Sequence, residues 1–282
     1  MYFKKKSIYI VGILISFKLG YEANKAKIFP LPQWYQRNYG ENKVEVIPLL
    51  VVNNNTSSNE KVECPSESEV ILIVGFGQSN SANHQGQRYE SNNNNIINLY
   101  NENCFLAKDP MLGSTGTSGS IWIPLANKLA KKTGKKIVLA TFGVEATSVT
   151  RWSNDKDLGY FYHQNISSIK RKYKSVNYFL WIQGEADKGM NPVVYGDNLR
   201  KIILNTKEDF PKSKFMLSST TYCRGTGDTQ INAEQKSIAK TMPGVYLMGD
   251  TDKYAGHKFR YDDCHLSGVG VEAITTEFIK SF

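Results

Sequence analysis

Residues 70–74, Val70-Ile-Leu-Ile-Val74, form an unbroken apolar run rich in β-branched side chains and ending at Gly75. Such a run suits a strand covered on both faces, because a strand with one wet face alternates apolar with polar. Similar runs recur at 137–142, 178–182, 215–217 and 245–248, and the stretches between them carry helix signals. Pro124 opens one helix that Gly134 closes, 160–172 is a second, and Pro192 precedes a third reaching about Phe210. A fourth covers 230–241, and Ser267 is placed to cap a last one. Strands alternating with helices pair in parallel through right-handed crossovers. The pattern predicts an α/β fold, a three-layer α/β/α sandwich around a mostly parallel five-stranded sheet of flavodoxin-like type. Ligands of such sheets bind at the carboxyl edge of the strands, so functional residues are expected just after the apolar runs.

The segment of about 80–120 is much longer than an ordinary strand-to-helix connection, which marks it as functional or disordered, with a mobile tip at 92–95. Upstream of residue 70 the pattern is lost. Residues 27–69 read as an irregular extension with Pro30, Pro32 and a polar Asn/Ser tract at 53–59, and no chemistry is assigned to them. Residues 1–26 read as a signal peptide. Lys4, Lys5 and Lys6 precede an 11-residue apolar stretch, Ser7 to Phe17, and the small residues Ala23 and Ala26 follow. As a helix that stretch rises only ~16 Å, about half of a ~30 Å hydrocarbon core. An uncleaved N-terminal anchor is the alternative, and either form predicts an exported, periplasmic, cell-surface or secreted protein. Residues 70–282 are then the catalytic domain.

The net charge of +9 falls to +5 once residues 1–26 take five lysines and one glutamate with them. The remaining basic clusters, Lys135-Lys136 and Lys170-Arg171-Lys172, lack the aromatic interleaving of a single-strand binder, so nucleic acid is not expected as a partner. Membrane contact is expected only through an uncleaved N-terminal segment, and no oligomeric state is read. Cys64, Cys104, Cys223 and Cys264 are too widely spaced for C-x-x-C chemistry. In an exported chain they allow two disulfides in any of three connectivities, and a bridge at Cys264 would pin the neighbouring His265.

Three short blocks carry the candidate chemistry. Gly75-Phe-Gly-Gln-Ser-Asn80 follows the first strand, where a serine presents its hydroxyl and backbone N–H to a ligand. Asp262-Asp-Cys-His265-Leu-Ser267 precedes the last helix. A carboxylate three residues before an imidazole can turn back onto Nδ1–H and leave Nε2 to take a serine proton. Trp181-Ile-Gln-Gly-Glu-Ala-Asp187 ends the third strand, where Gln183 can aim an amide N–H at a developing oxyanion. Glu185 and Asp187 read as buried hydrogen-bonders that shape this loop. The acid and histidine residues at 250–265 show no ligand pair at helical spacing, so no metal is assigned.

Together and in this order, Gly77-Gln-Ser-Asn80, Trp181-x-Gln-Gly-Glu-x-Asp187 and Asp262-x-x-His265-Leu-Ser267 resemble the SGNH hydrolases, specifically the sialate O-acetylesterase-like carbohydrate acetylesterases. The resemblance covers 70–282. It implies Ser79 as nucleophile, His265 as general base and Asp262 as its orienting acid. The Ser79 and Ala146 backbone N–H groups and the Gln183 side chain would line the oxyanion hole. Gln78, Asn80, Trp152 and Glu185 are the expected substrate-binding residues; Trp181 and Tyr160 are further aromatics available to a sugar ring, with a place in the core as the equal reading for Trp181. The family's second block, usually Gly-Gly-Thr-Ser followed by Trp, is here Glu145-Ala-Thr-Ser-Val-Thr-Arg-Trp152. The paired glycines are replaced by Glu145 and Ala146, with Gly143 nearby as an alternative donor. The expected activity is removal of O-acetyl groups from a carbohydrate, sialate or another glycan, through an acyl-enzyme and without a cofactor. Two alternatives stay open at this point, an envelope glycan O-acetyltransferase and a non-catalytic glycan-binding protein on the same scaffold.

Overall fold

A computed structural model describes residues 50–91 and 94–282. The expected leader or anchor at 1–26, the stretch 27–49 of the extension, and Asn92 and Asn93 of the expected loop tip lie outside the described residues. The strands are β1 (Lys61–Val62), β2 (Val70–Gly77), β3 (Ile96–Tyr100), β4 (Asn103–Leu106), β5 (Lys136–Thr141), β6 (Tyr178–Ile182), β7 (Lys214–Ser219) and β8 (Val245–Asp250). The helices are α1 (Trp122–Thr133), α2 (Val149–Trp152), α3 (Leu158–Lys172), α4 (Pro192–Asp209), α5 (Thr229–Thr241) and α6 (Gly268–Phe278).

All five expected strands are present as β2, β5, β6, β7 and β8, and they pair in parallel. The sheet nevertheless has eight strands rather than five, in the order β1-β4-β3-β5-β2-β6-β7-β8. The extra strands come mainly from the long segment after β2. There β3 joins β5 in parallel and turns back into β4 through Asn101 and Glu102, both with positive φ (45° and 66°). A two-residue hairpin turn needs that left-handed geometry, and Asn-Gly is its usual sequence sign. Asn-Glu reaches the same geometry without announcing it. Short β1 pairs with β4, so residues 61–62 of the expected extension belong to the sheet.

The core is split by the sheet. Every residue of β2 is buried, and alternation along it sends Val70, Leu72, Val74 and Phe76 to one face and Ile71 and Ile73 to the other. The first face packs on Tyr162 and Ile166 of α3 and Leu199 and Ile203 of α4. The second packs on Leu125 and Leu129 of α1 and Val271 and Ile274 of α6. Helices therefore cover both faces, which is the three-layer arrangement the apolar runs require. β5 and β6 flank β2 on opposite sides, so the chain reverses its direction of travel across the sheet around β2. The crevice of such a sheet lies at that reversal.

Two disulfides close the unit, Cys64–Cys104 and Cys223–Cys264, with Cα–Cα separations of 5.2 Å and 4.1 Å. Cross-links over chain separations of 40 and 41 residues are worth about 2–4 kcal/mol each by restricting the unfolded chain. Thermal unfolding with and without reductant checks this. The midpoint is expected to drop by roughly 10–30 °C on reduction of both bridges in a domain of this size.

Candidate active site

β2 delivers Ser79 to the carboxyl edge. Gly77 has φ 130°, and a Cβ there would lie 2.2 Å from the Ile182 carbonyl oxygen, so only glycine lets the chain leave β2 against β6. The Gln78 N–H then bonds to Ile182 O at 3.0 Å, and a single 3₁₀ turn, Ser79–Ser81, begins. Ser79 itself is 6% exposed.

The far end of the chain meets it through Gln85. The Gln85 side chain donates to Asn80 O (3.1 Å) and accepts from Leu266 N–H (2.7 Å), while Gly86 N–H bonds to Leu266 O (2.8 Å). These bonds place His265 beside the serine turn. Asp262 Oδ2 lies 2.7 Å from His265 Nδ1, and Oδ1 accepts from the backbone N–H of His265 (2.7 Å) and Cys264 (3.0 Å). Partial burial raises the Asp262 carboxyl, but the hydrogen bonds and charge of His265 outweigh it and hold the group below its ordinary value. The loop is pinned twice more. Buried Arg260 donates to the carbonyls of Cys264, Thr251 and Tyr254, and the Cys223–Cys264 bridge anchors it to the segment after β7.

Ser79, Asp262 and His265 line one pocket of about 570 Å³, together with Gln78, Glu145, Ala146, Glu185, Lys188 and Arg224. His265 Nε2 is buried and makes no hydrogen bond in the structure, to Ser79 Oγ or to any other group. Hydrogen bonds between nucleophile and base are often long in unliganded enzymes and tighten with substrate.

Several expected site residues take other roles. Gln183 is fully buried, and its amide donates to Asp187 Oδ2, to Thr147 O (2.9 Å) and to Gln78 Oε1 (3.3 Å). Both of its hydrogens are committed behind the pocket, so it shapes the wall and does not face an oxyanion. Trp152 is 2% exposed, its Nε1–H bonds to Thr147 Oγ1 (3.0 Å), and its ring joins Phe76, Phe142 and Trp181 in the core. It does not meet substrate, because its apolar area is already covered. Tyr160 points to solvent on α3, away from the pocket lining. Asn80 is buried beneath the pocket and donates to Glu185 Oε1 at 2.5 Å, which also accepts from Thr220 Oγ1 (3.3 Å). Gln78 and Glu185 do reach the lining. Burial raises the Glu185 carboxyl above its ordinary value, the direction expected for an acid enclosed with few charges. Asp187 holds the second block from behind, accepting from Ser148 Oγ (2.5 Å) and Val149 N–H (3.1 Å).

The second block keeps its turn without glycine. Ala146 adopts φ 53°, a left-handed conformation that costs a non-glycine residue about 1–2 kcal/mol. It stands on the pocket wall beside Ser79. Gly143 does not substitute for it, because its N–H is bonded to Ser114 Oγ at 3.0 Å. The Glu145 side chain turns aside to His84, with 3.2 Å between Oε2 and Nε2.

Three residues near the site were not singled out from sequence. His84 stacks on His265, with ring centroids 5.4 Å apart and planes at 26°. Arg224 and Lys188 bring positive charge to the pocket. Arg224 has φ 56°, and its N–H bonds to Asp263 O (2.9 Å) next to the Cys223 bridge. Its proximity to Cys223 was visible in the sequence, but the site became its neighbour only through the disulfide pairing. Among the described residues no group of three His, Cys, Asp or Glu side chains is arranged to hold a metal ion.

Comparisons with known proteins agree with this layout. A comparison with curated protein sequences finds no match. Among solved structures, a protein from Arabidopsis thaliana is 16% identical, superposes with a TM-score of 0.60, and is matched over 75% of this chain and 95% of its own. NanS is 11% identical with a TM-score of 0.60, over 77% of this chain and 97% of its own. A carbohydrate acetylesterase from Xanthomonas citri is 13% identical with a TM-score of 0.55, over 74% of this chain and 55% of its own. At these identities the likeness speaks for the fold alone. The family description "Carbohydrate esterase, sialic acid-specific acetylesterase" matches residues 68–281, which take in all three motif blocks and the whole parallel sheet. The chain therefore belongs to that family of carbohydrate acetylesterases, and is a carboxylic ester hydrolase.

Proposed function

We propose that the protein removes O-acetyl groups from an acidic sugar of the sialate type through a Ser79–His265–Asp262 triad. The observation that carries this reading is the 2.7 Å contact of Asp262 with His265 Nδ1, with Nε2 left unbonded in the pocket that Ser79 lines. Asp262 fixes the tautomer in which Nε2 accepts. Ser79 Oγ then attacks the acetyl carbonyl as its proton passes to Nε2, and the N–H groups of Ser79 and Ala146 receive the oxyanion. The protonated imidazole gives its proton to the departing sugar hydroxyl. Water, deprotonated by the same nitrogen, releases acetate from the serine. The two disulfides support an exported setting, because such bridges persist in oxidising compartments.

A serine-directed phosphonate tests the nucleophile. It is expected to abolish acetate release and to add its mass to the peptide containing Ser79. Labelling of another residue, or full activity after labelling, overturns the triad.

Arg224 supports the acidic-sugar reading, since it lines the pocket and an arginine can offer a paired donor to a carboxylate. A charged hydrogen bond of this kind is worth about 1.5–3 kcal/mol. Arg224→Ala is accordingly expected to raise KM for O-acetylated sialic acid by about 10- to 100-fold, and to leave KM for a neutral acetylated hexose within about threefold. Equal effects on both substrates reject this role for Arg224.

A further inference from the structure

Glu145 and Ala146 stand where the family has two glycines, and the structure shows a partner for that change. His84, five residues after the nucleophile, touches both halves of the site. Its Nε2 lies 3.2 Å from Glu145 Oε2 and 3.4 Å from Thr115 Oγ1, and the same hydroxyl oxygen accepts from Glu145 N–H at 2.9 Å. Its ring lies against the His265 ring on the other side. Glu145, Thr115 and His84 thus form a closed polar triangle at the base of the turn that carries Ala146.

The space for this arrangement is specific. A Cβ on Gly116 would lie 2.6 Å from His84 Nε2, so the imidazole is seated directly over a glycine. The His84 carbonyl accepts from Tyr261 Oη at 3.0 Å, which ties its backbone to the loop of the base. Burial lowers the His84 imidazole below its ordinary value, against the opposing pull of Glu145, and the neighbouring His265 lowers it further. His84 Nε2 hydrogen-bonds with Thr115 Oγ1 and stands in charge contact with the Glu145 carboxylate.

We infer that His84 is a positioning residue that acts through Glu145 to hold the Ala146 turn in its left-handed conformation. The carboxylate at 145 replaces the conformational freedom of glycine with a tether. This inference rests on the triad reading above and goes beyond it by assigning work to the two positions that depart from the family pattern.

The test compares the same substitution in two backgrounds. Glycine at position 146 adopts positive φ without strain, so it relieves the need for a tether. His84→Ala is expected to lower kcat for acetyl-ester hydrolysis by about 10- to 100-fold, below the about 10²–10³ seen when an oxyanion donor is lost outright. KM should stay within about twofold of that of its parent. In the Ala146→Gly background the same substitution should cost less than about threefold. Glu145→Ala should reproduce the His84→Ala loss, whereas Glu145→Gln, which keeps an oxygen to face Nε2, should retain most of kcat. Glu145 is largely exposed, so its variants keep the question answerable if His84→Ala fails to fold. Equal losses in the wild-type and Ala146→Gly backgrounds, or a loss confined to KM, overturn the inference. Ser79→Ala serves as the separate control. If it stays active, the triad reading fails; if it is inactive while His84→Ala and Glu145→Ala match wild type, only the positioning role fails.

Discussion

Ser79→Ala is expected to reduce acetate release by about 10³-fold or more, leaving only the residual rate that binding and the oxyanion donors sustain without a nucleophile. The structure gives a reason for so large an effect. Ser79 lies just past a completely buried strand, its turn is tied to the His265 loop through Gln85, and among the described residues that line the pocket no other side chain carries a hydroxyl. Ser81 is the nearest serine in sequence, but it is fully buried and its Oγ is bonded to Gln78 O at 2.7 Å. Removing one oxygen from a 6% exposed residue at a turn is expected to change the unfolding midpoint little. Steady-state acetate release and a thermal melt on the same preparation separate loss of chemistry from loss of fold. A variant within tenfold of wild type would show that Ser79 does not form the acyl-enzyme.

Asp262→Asn is the second large effect, and it acts through the tautomer. The asparagine Oδ1 can still accept from the His265 and Cys264 N–H groups, so the loop should keep its shape. Its NH₂ group then faces Nδ1, where Asp262 Oδ2 now sits at 2.7 Å. An NH₂ group donates, so it selects the ring form with a bare Nδ1 and a proton on Nε2, which cannot accept from serine. The expected fall in kcat is about 10³- to 10⁴-fold at neutral pH with little change in KM, since a wrong tautomer spoils proton transfer and not binding. The pH dependence of stability has a definite sign here. The Asp262 carboxyl is held below its ordinary value, so its contribution to folding is present above about pH 4. It is lost as the pH falls through the lowered value of the folded state. Denaturant unfolding of wild type and Asp262→Asn should therefore differ at neutral pH and converge at strongly acid pH. Curves that stay equally separated throughout would count against an ionised Asp262 in the native loop.

The layer architecture was legible because it is written in local pattern. A strand buried on both faces leaves a continuous apolar run, and all five such runs became parallel strands. Helix ends were legible for a similar reason. Gly134 takes the left-handed closing position, and Ser267 accepts from the Gly270 N–H. The hairpin Ile96–Leu106 was not legible, since its turn uses Asn101 and Glu102 and its strands lie in a segment whose length suggested a loop. The aromatic residues misled in the same way. Trp152 looks like a sugar platform among the motif residues, but Phe76 gathers it into the core, where Trp181 also lies as its apolar character allows. Hydrophobic side chains declare that they will be buried, and not whether a ligand or the protein itself will bury them.

By itself the sequence determined the fold class, the identity of the three motif blocks and the order in which Ser79, Asp262 and His265 occur. These follow from neighbours along the chain: strand periodicity, caps, and an Asp three residues before a His. Tertiary structure alone decided which cysteines pair, that the Gln183 amide is spent inside the protein, that Arg224 and Glu145 border one pocket, and that His84 stacks on His265. The reason is the physical range of each interaction. A hydrogen bond or a disulfide forms between atoms a few ångströms apart, and no spacing rule connects residue 84 to residue 145, or 223 to 264, until the sheet has closed.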